Sequence, residues 1–173
     1  LVWSRDPRTE KLKKLGVQLQ SGSLTVMEDV QKAVDGVDIV YHLGAAFQGG
    51  GPFTEDEYFD INVGGTFHVL DATRRAGVQQ LIYASTDALI QKYIPGGMKT
   101  PIIESIPKNP NGDYSITKSI GEDVCLAYWH NHGLPVTITR FSMIFGAGEV
   151  LRFPPFYLST LHKNQSGLTS SPQ

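Results

Sequence analysis

The segment Tyr114-Ser115-Ile116-Thr117-Lys118 sets a phenol and an ammonium four residues apart. On a helix that spacing places them on one face, one turn from each other. A neighbouring Lys⁺ favours the phenolate, so Lys118 is expected to lower the Tyr114 pKa from its ordinary ~10. Tyr114 then becomes a proton donor or acceptor near neutral pH. The same pattern also arises on ordinary helix faces, and it gains meaning here from three neighbours. It opens a helical segment straight after a long loop, it follows an apolar run ending in Ser85-Thr86-Asp87, and it precedes one ending in Arg140-Phe141-Ser142. A hydroxyl at such a strand end is placed to bind a substrate oxygen beside the tyrosine.

The elements that must position these groups alternate along the chain. Short apolar runs at Leu1–Trp3, Val17–Gln20, Val37–Leu43, Leu81–Ala84 and Pro135–Phe145 read as strands. Between them lie helical patterns: Arg8–Leu15, Val26–Val34 with Thr25 as N-cap and Glu28 at capping-box spacing, a long Glu55–Ala76 capped by Thr54, and Tyr114–His132 ended by Gly133. Tyr58, Ile61, Phe67, Leu70 and Thr73 fall roughly on one helical face. The run Val37–Leu43 is nearly continuous, which suits a strand buried on both faces of a parallel sheet. Asp87–Asp113 carries Pro95, Pro101, Pro107 and Pro110 and reads as a long irregular, functional segment. The tail from Lys163 reads as disordered. Alternating strands and helices imply βαβ units in a doubly wound parallel sheet, where ligands bind beyond the carboxyl ends of the strands.

Composition bounds the function. The 173 residues are 40% hydrophobic and 18% charged, with a net charge of −2. That is enough apolar material for a core and too little basic excess for an electrostatic nucleic-acid binder. A lone cysteine, Cys125, excludes a disulfide framework and a thiolate metal cluster. No stretch of ~20 apolar residues suggests a membrane span, and the first residues show no signal-peptide pattern. A soluble protein of a reducing compartment, the cytoplasm, is expected, with no metal.

Six short motifs stand in a familiar order: Gly22-Ser23-Leu24, His42-Leu43-Gly44-Ala45-Ala46, Asn62-Val63-Gly64-Gly65-Thr66, Tyr83-Ala84-Ser85-Thr86, Tyr114-x-x-x-Lys118 and Arg140-x-x-x-Ile144-Phe145-Gly146. From Leu1 to about Phe153 the chain resembles an extended short-chain dehydrogenase/reductase of the NAD-dependent epimerase/dehydratase family. The resemblance implies an α/β, Rossmann-like fold, here incomplete. The first strand and its glycine-rich phosphate-binding turn are absent before Leu1, and most of the substrate lobe is absent after about Pro154. Residues 1–153 would be a partial NAD(P)-binding domain, and 154–173 the start of the substrate region or a tail.

The resemblance also implies roles. Tyr114 is the general acid/base, Lys118 binds the nicotinamide ribose and tunes the tyrosine, and Thr86, with Ser85 as the nearer alternative, bonds the substrate oxygen. Asp87 matches an acid of the dehydratases, but Ala88 stands where they carry Glu, and a strand-end cap is the other reading of Asp87. Leu43, Gly44 and Ala45 let the backbone approach the cofactor, or simply pack tightly. Asn62 helps position the cofactor, or bonds its own helix locally, and His42 is a packed polar residue rather than a base. Ser23 and Leu24 bracket the adenine, and Ser142 joins the cofactor contacts. Ser4-Arg5, in place of an acid, leans the cofactor from NAD toward NADP, although a surface arginine reads the same way. Met143 replaces the asparagine that contacts a nucleotide-sugar diphosphate, which favours a less charged substrate, as in the steroid- or flavonoid-reducing branches, over a nucleotide sugar; the implied substrate is a sugar- or sterol/ketone-like small molecule. The implied activity is hydride transfer at a hydroxyl- or carbonyl-bearing carbon. A non-catalytic NAD(P)-binding member or an inactive fragment is the alternative. A homodimer through helices 55–76 and 114–132 is implied, with Leu126, Tyr128 and Trp129 at the interface or in the core.

Overall fold

The computed structural model describes residues 9–47, 53–90 and 98–147. Ser4, Arg5, the Leu1–Trp3 run and the tail lie outside the described residues. The chain divides into two compact units, Leu1–Phe141 and Ser142–Gln173.

In the first unit the elements run α1 (Thr9–Lys14), α2 (Met27–Val34), β1 (Ile39–His42), α3 (Glu55–Phe59), a π-turn (Asp60–Gly64), α4 (Gly65–Arg75), β2 (Gln80–Thr86), a 3₁₀ turn (Asp87–Leu89), α5 (Asp113–His132) and β3 (Val136–Phe141). The strands form one parallel sheet in the order β1-β2-β3. Parallel neighbours need crossovers, and α4 and α5 supply them. The register pairs His42 with Tyr83, and Ser85 with Arg140. Because side chains alternate along a strand, Val40, Leu81, Tyr83, Val136 and Ile138 share one sheet face. There they join Val30, Val34, Val69, Leu70, Cys125 and Tyr128 of the helices in the core.

Val37–Leu43 departs from the expected strand. Only Ile39–His42 is extended into the sheet, and it is not buried on both faces: Tyr41 and Leu43 are 63% and 66% exposed. Val17–Gln20 forms no strand. Strand β3 stops at Phe141, four residues before the expected end, and Ser142–Gly146 are irregular.

Helix starts follow their chemistry unevenly. Thr54 makes a complete capping box with Glu57, each side chain bonding the other's backbone amide at 3.2 and 2.7 Å. The expected box at Thr25 does not form. Val26 is the N-cap residue there, without a side-chain bond. The Thr25 hydroxyl instead meets the Ser23 hydroxyl at 2.8 Å, and Asp29 accepts from the Ser23 amide at 3.0 Å. Two short hydroxyls and a carboxylate satisfy the turn among themselves, which leaves Thr25 no amide to cap.

Glu55–Arg75 is a single helical stretch, but its centre is a π-turn. The wider turn shifts the helical phase. Tyr58, Leu70 and Thr73 are buried as the spacing predicts, whereas Phe67 is turned outward. Helix α5 ends at Gly133, whose φ of 65° lies in the left-handed region glycine tolerates.

Candidate active site

Two buried hydrogen-bond hubs and one hydroxyl pair build the carboxyl-end edge of the sheet.

The first hub is Asn62, aimed inward by the π-turn. Its Oδ1 accepts from the Ala46 amide at 2.7 Å. Its Nδ2 donates to the Ala46 carbonyl at 3.0 Å and to Thr117 Oγ1 at 2.9 Å. One side chain thereby locks the backbone beyond β1 and ties it to the first turns of α5, between Tyr114 and Lys118. Beside it Thr66 donates to the Asn62 carbonyl at 2.6 Å and meets His42 Nε2 at 2.9 Å. The single Thr66 proton is committed, so His42 Nε2 is the donor. Burial, helped by the charge of Lys118, holds the His42 pKa at about 3. His42 is the packed polar residue its position suggested.

The second hub is Glu122, one turn beyond Lys118. Its carboxylate accepts from Ser85 Oγ at 2.6 Å and from Arg140 Nε and Nη2 at 2.8 Å each. Lys108 Nζ stands 3.8 Å away. The Arg140 and Ser85 hydrogen bonds outweigh the cost of burial and lower the Glu122 pKa below its ordinary value.

Between the hubs lies Lys118, buried to 3% exposure. Its Nζ sits over the Tyr83 ring, 4.0 Å from the centroid. Burial brings its pKa down to about 8. Tyr83 comes this close because residue 121 is glycine: a Cβ there would overlap the Tyr83 hydroxyl.

Tyr114 occupies the start of α5, half-buried, with Phe47 edge-on to its ring at 6.1 Å. Burial raises its pKa, the Thr86 hydroxyl opposes that by hydrogen bonding, and Asp87 adds to the rise. The expected lowering by Lys118 is absent, because the ammonium acts on His42 and the Tyr83 ring instead. Tyr114 therefore keeps its proton at neutral pH.

The structure thus brings Thr86, Asp87 and Tyr114 together and sets Lys118 one turn away. Ser85, next to Thr86, points to the opposite sheet face and is engaged by Glu122. Thr86 also accepts from the Ala88 amide at 3.1 Å. Gly44 and Gly65 both press on Leu24, where a Cβ would come within 2.7 and 2.9 Å of its side chain. The Leu24 carbonyl meets His68 Nδ1 at 2.9 Å. Leu43 is exposed and Ala45 half-buried at the same edge. Ser142 and Met143 belong to the second unit. Glu122 and Thr117 are the participants sequence reasoning missed. Glu122 carried a usable signal, since it continues the four-residue spacing of Tyr114 and Lys118. Among the described residues no cluster of His, Cys, Asp or Glu fits a metal, and no helix is long and apolar enough to cross a membrane.

A model of the NAD dependent epimerase/dehydratase family matches residues 1–170. The chain belongs to this family. It is 33% identical over 153 residues to a 3β-hydroxysteroid dehydrogenase/Δ5→4-isomerase of Mycobacterium tuberculosis, a match covering 84% of this chain and 40% of that protein. It is 30% identical over 142 residues to a uronate dehydrogenase of Pseudomonas syringae, covering 82% and 50%. The chain thus spans two fifths to half the length of these curated relatives. Among solved structures, a short-chain dehydrogenase/reductase superfamily protein from Agrobacterium tumefaciens with bound NAD superposes with a TM-score of 0.71 at 27% identity, covering 91% of this chain and 54% of that one. The fold is the Rossmann-like parallel sheet of this family, seen in three strands with flanking helices.

Proposed function

We propose that the intact protein is an NAD(P)-dependent dehydrogenase or epimerase acting at a hydroxyl- or carbonyl-bearing carbon of a small molecule. One observation carries the reading: Thr86 ends β2 and Tyr114 opens α5, near enough for the Thr86 hydroxyl to act on the phenol. There they form a two-donor site for one substrate oxygen.

The neighbouring residues suit the nicotinamide end of a dinucleotide. Gly44 and Ala45 are small, and the backbone beyond them is made rigid by Asn62. Lys118 supplies a positive charge one turn from Tyr114, suited to ribose hydroxyls. When bound, the nicotinamide takes up or gives back the hydride. In the reducing direction Tyr114 donates its proton to the substrate carbonyl while Thr86 polarises the same oxygen. In the oxidising direction Tyr114 must first be an anion, and the Lys118 charge would then have to act on it. Asp87 stands beside the pair, where it would disfavour that anion. Ser23 and Leu24 are placed for the adenine. Ser4-Arg5 keeps NADP beside NAD as the cofactor.

The relatives named above act on steroids and uronates, so a sterol- or sugar-like alcohol is the substrate class. A homodimer working in the cytoplasm accompanies this reading. Phe59, Phe67, Ile116, Leu126 and Trp129 are all exposed on the helices expected at the interface, whereas Tyr128 is in the core. The test uses the intact protein with a hydroxysteroid and a uronate as trial substrates and NAD or NADP as oxidant. Tyr114→Phe should lose about 100-fold or more in turnover while NADH affinity stays within a few-fold. Full turnover in that variant overturns the assignment.

A further inference from the structure

Glu122 has no part in the chemistry just described, yet three pieces of the chain besides its own helix converge on it. Ser85 arrives from β2, Arg140 from β3, Lys108 from the irregular segment after β2, and the carboxylate itself belongs to α5. Each partner is tied further. Arg140 Nη1 donates to the Glu104 carbonyl at 3.1 Å. Lys108 Nζ donates to the Ser119 carbonyl at 3.1 Å and to Asp123 at 2.6 Å. The Asn109 amide donates to the Leu89 carbonyl at 2.7 Å. The hydroxyl pair at the site is split between two of these pieces. Thr86 is the residue after Ser85 on β2, and Tyr114 lies eight residues before Glu122 on α5, on the same helical face. Sliding or rotating α5 against β2 would part Thr86 from Tyr114, and the short Ser85–Glu122 bond opposes both motions.

We propose that Glu122 is a positioning residue: through Ser85 and Arg140 it sets the distance between the Thr86 hydroxyl on β2 and the Tyr114 phenol on α5. The inference rests on the reading of Tyr114 as the group that transfers the proton. Its geometry is specific. A bidentate arginine on one side and a serine on the other use both carboxylate oxygens, so the carboxylate has no rotational freedom. A shorter or neutral side chain cannot reproduce both contacts at once. The charged groups around it are Arg140 on β3, Lys108 in the irregular segment, and Lys118 and Asp123 on α5, while Cys125 and Tyr83 titrate nearby.

The test reads Tyr114 without turnover. In the intact protein, 3-fluorotyrosine at position 114 is titrated by ¹⁹F NMR, alone and with Thr86→Val, Glu122→Gln or both. Thr86 hydrogen-bonds the phenolate, so Thr86→Val should move the midpoint up. Glu122→Gln should also move it up, by about half a pH unit, because the Thr86 contact loosens. Removing a negative charge alone would move it down, so the sign separates positioning from simple electrostatics. In the double variant the two upward shifts should not add, since both act through one hydrogen bond. A purely structural ion pair would lower the melting temperature and leave the midpoint in place. An unchanged or lowered midpoint in Glu122→Gln, or full additivity, overturns the proposal. Should Glu122→Gln fail to fold, Ser85→Ala keeps the Glu122–Arg140 pair and must still raise the midpoint, and an unmoved midpoint there counts equally against it. Because no substrate is used, this result stands apart from the Tyr114→Phe turnover test.

Discussion

The two hubs beside Lys118 solve the same problem with opposite materials. Around Asn62 every partner is neutral: an amide, two threonine hydroxyls, an imidazole held uncharged and a peptide group. Around the Glu122 carboxylate the partners are a guanidinium, an ammonium and one hydroxyl. The neutral hub matches donors to acceptors one for one and so fixes a single backbone geometry. The ionised hub joins more distant elements and relies on charge that must stay paired. Lys118, lying between them, is pulled in two directions. The Glu122 charge favours its ammonium, and burial disfavours it.

The sharpest way to break this contrast is to unpair the charged hub. Arg140→Met leaves a buried carboxylate with one distant lysine and should cost about 3 kcal/mol at pH 7. Glu122 then binds a proton more readily, so the loss should shrink as the pH falls toward 4.5. Denaturant unfolding at pH 7 and pH 5 measures both, and a pH-independent loss would mean the pair is not ionised. The neutral hub should behave differently. Asn62→Leu strands the Ala46 amide and carbonyl and should cost about 2 kcal/mol. That loss should be equal at pH 8 and pH 6, checked by the same unfolding curves.

The smallest effect concerns His42 alone. Its folded pKa is about 3 against an ordinary 6.5. The unfolded chain therefore binds a proton below about pH 6.5 that the folded chain refuses. Stability falls as the pH drops through that window, and this contribution is complete above it. His42→Gln should flatten the stability profile between pH 7 and pH 5.5 by about 1 kcal/mol relative to the parent. An identical slope in both proteins would place a charge on His42 and undo the neutral description of that hub.

Much of this was legible in the residues. The order of apolar runs and helical stretches gave the parallel sheet, and the Tyr114–Lys118 spacing fell in the first turns of α5. The alternation along β2 turns Ser85 to the face held by Glu122 and leaves Thr86 on the other. Other features were hidden for identifiable reasons. The capping pattern at Thr25 is sound locally, but Ser23 and Asp29 compete for the same groups. The Tyr114 pKa was misjudged because four-residue spacing fixes a shared face and not where a long flexible side chain ends. Lys118 found an aromatic ring across the core, a contact 35 residues away in sequence. The exposure of Tyr41 and Leu43 could not be foreseen either, because a continuous apolar run carries no sign of which face is covered.

The π-turn at Asp60–Gly64 has a mechanical consequence. In a regular helix each residue advances the side-chain direction by about 100°, so one extra residue in a turn makes the stretch Glu55–Arg75 a crankshaft with two offset throws. The first throw carries Tyr58 and the second carries Val69 and Leu70, with Asn62 on the web between them. A single-residue deletion there would leave a perfectly good helix with its phase lost. Either Asn62 would swing away from Ala46, or the Val69–Leu70 pair would leave the core. The defect in the helix is thus the part that lets one rod serve both the packing and the site.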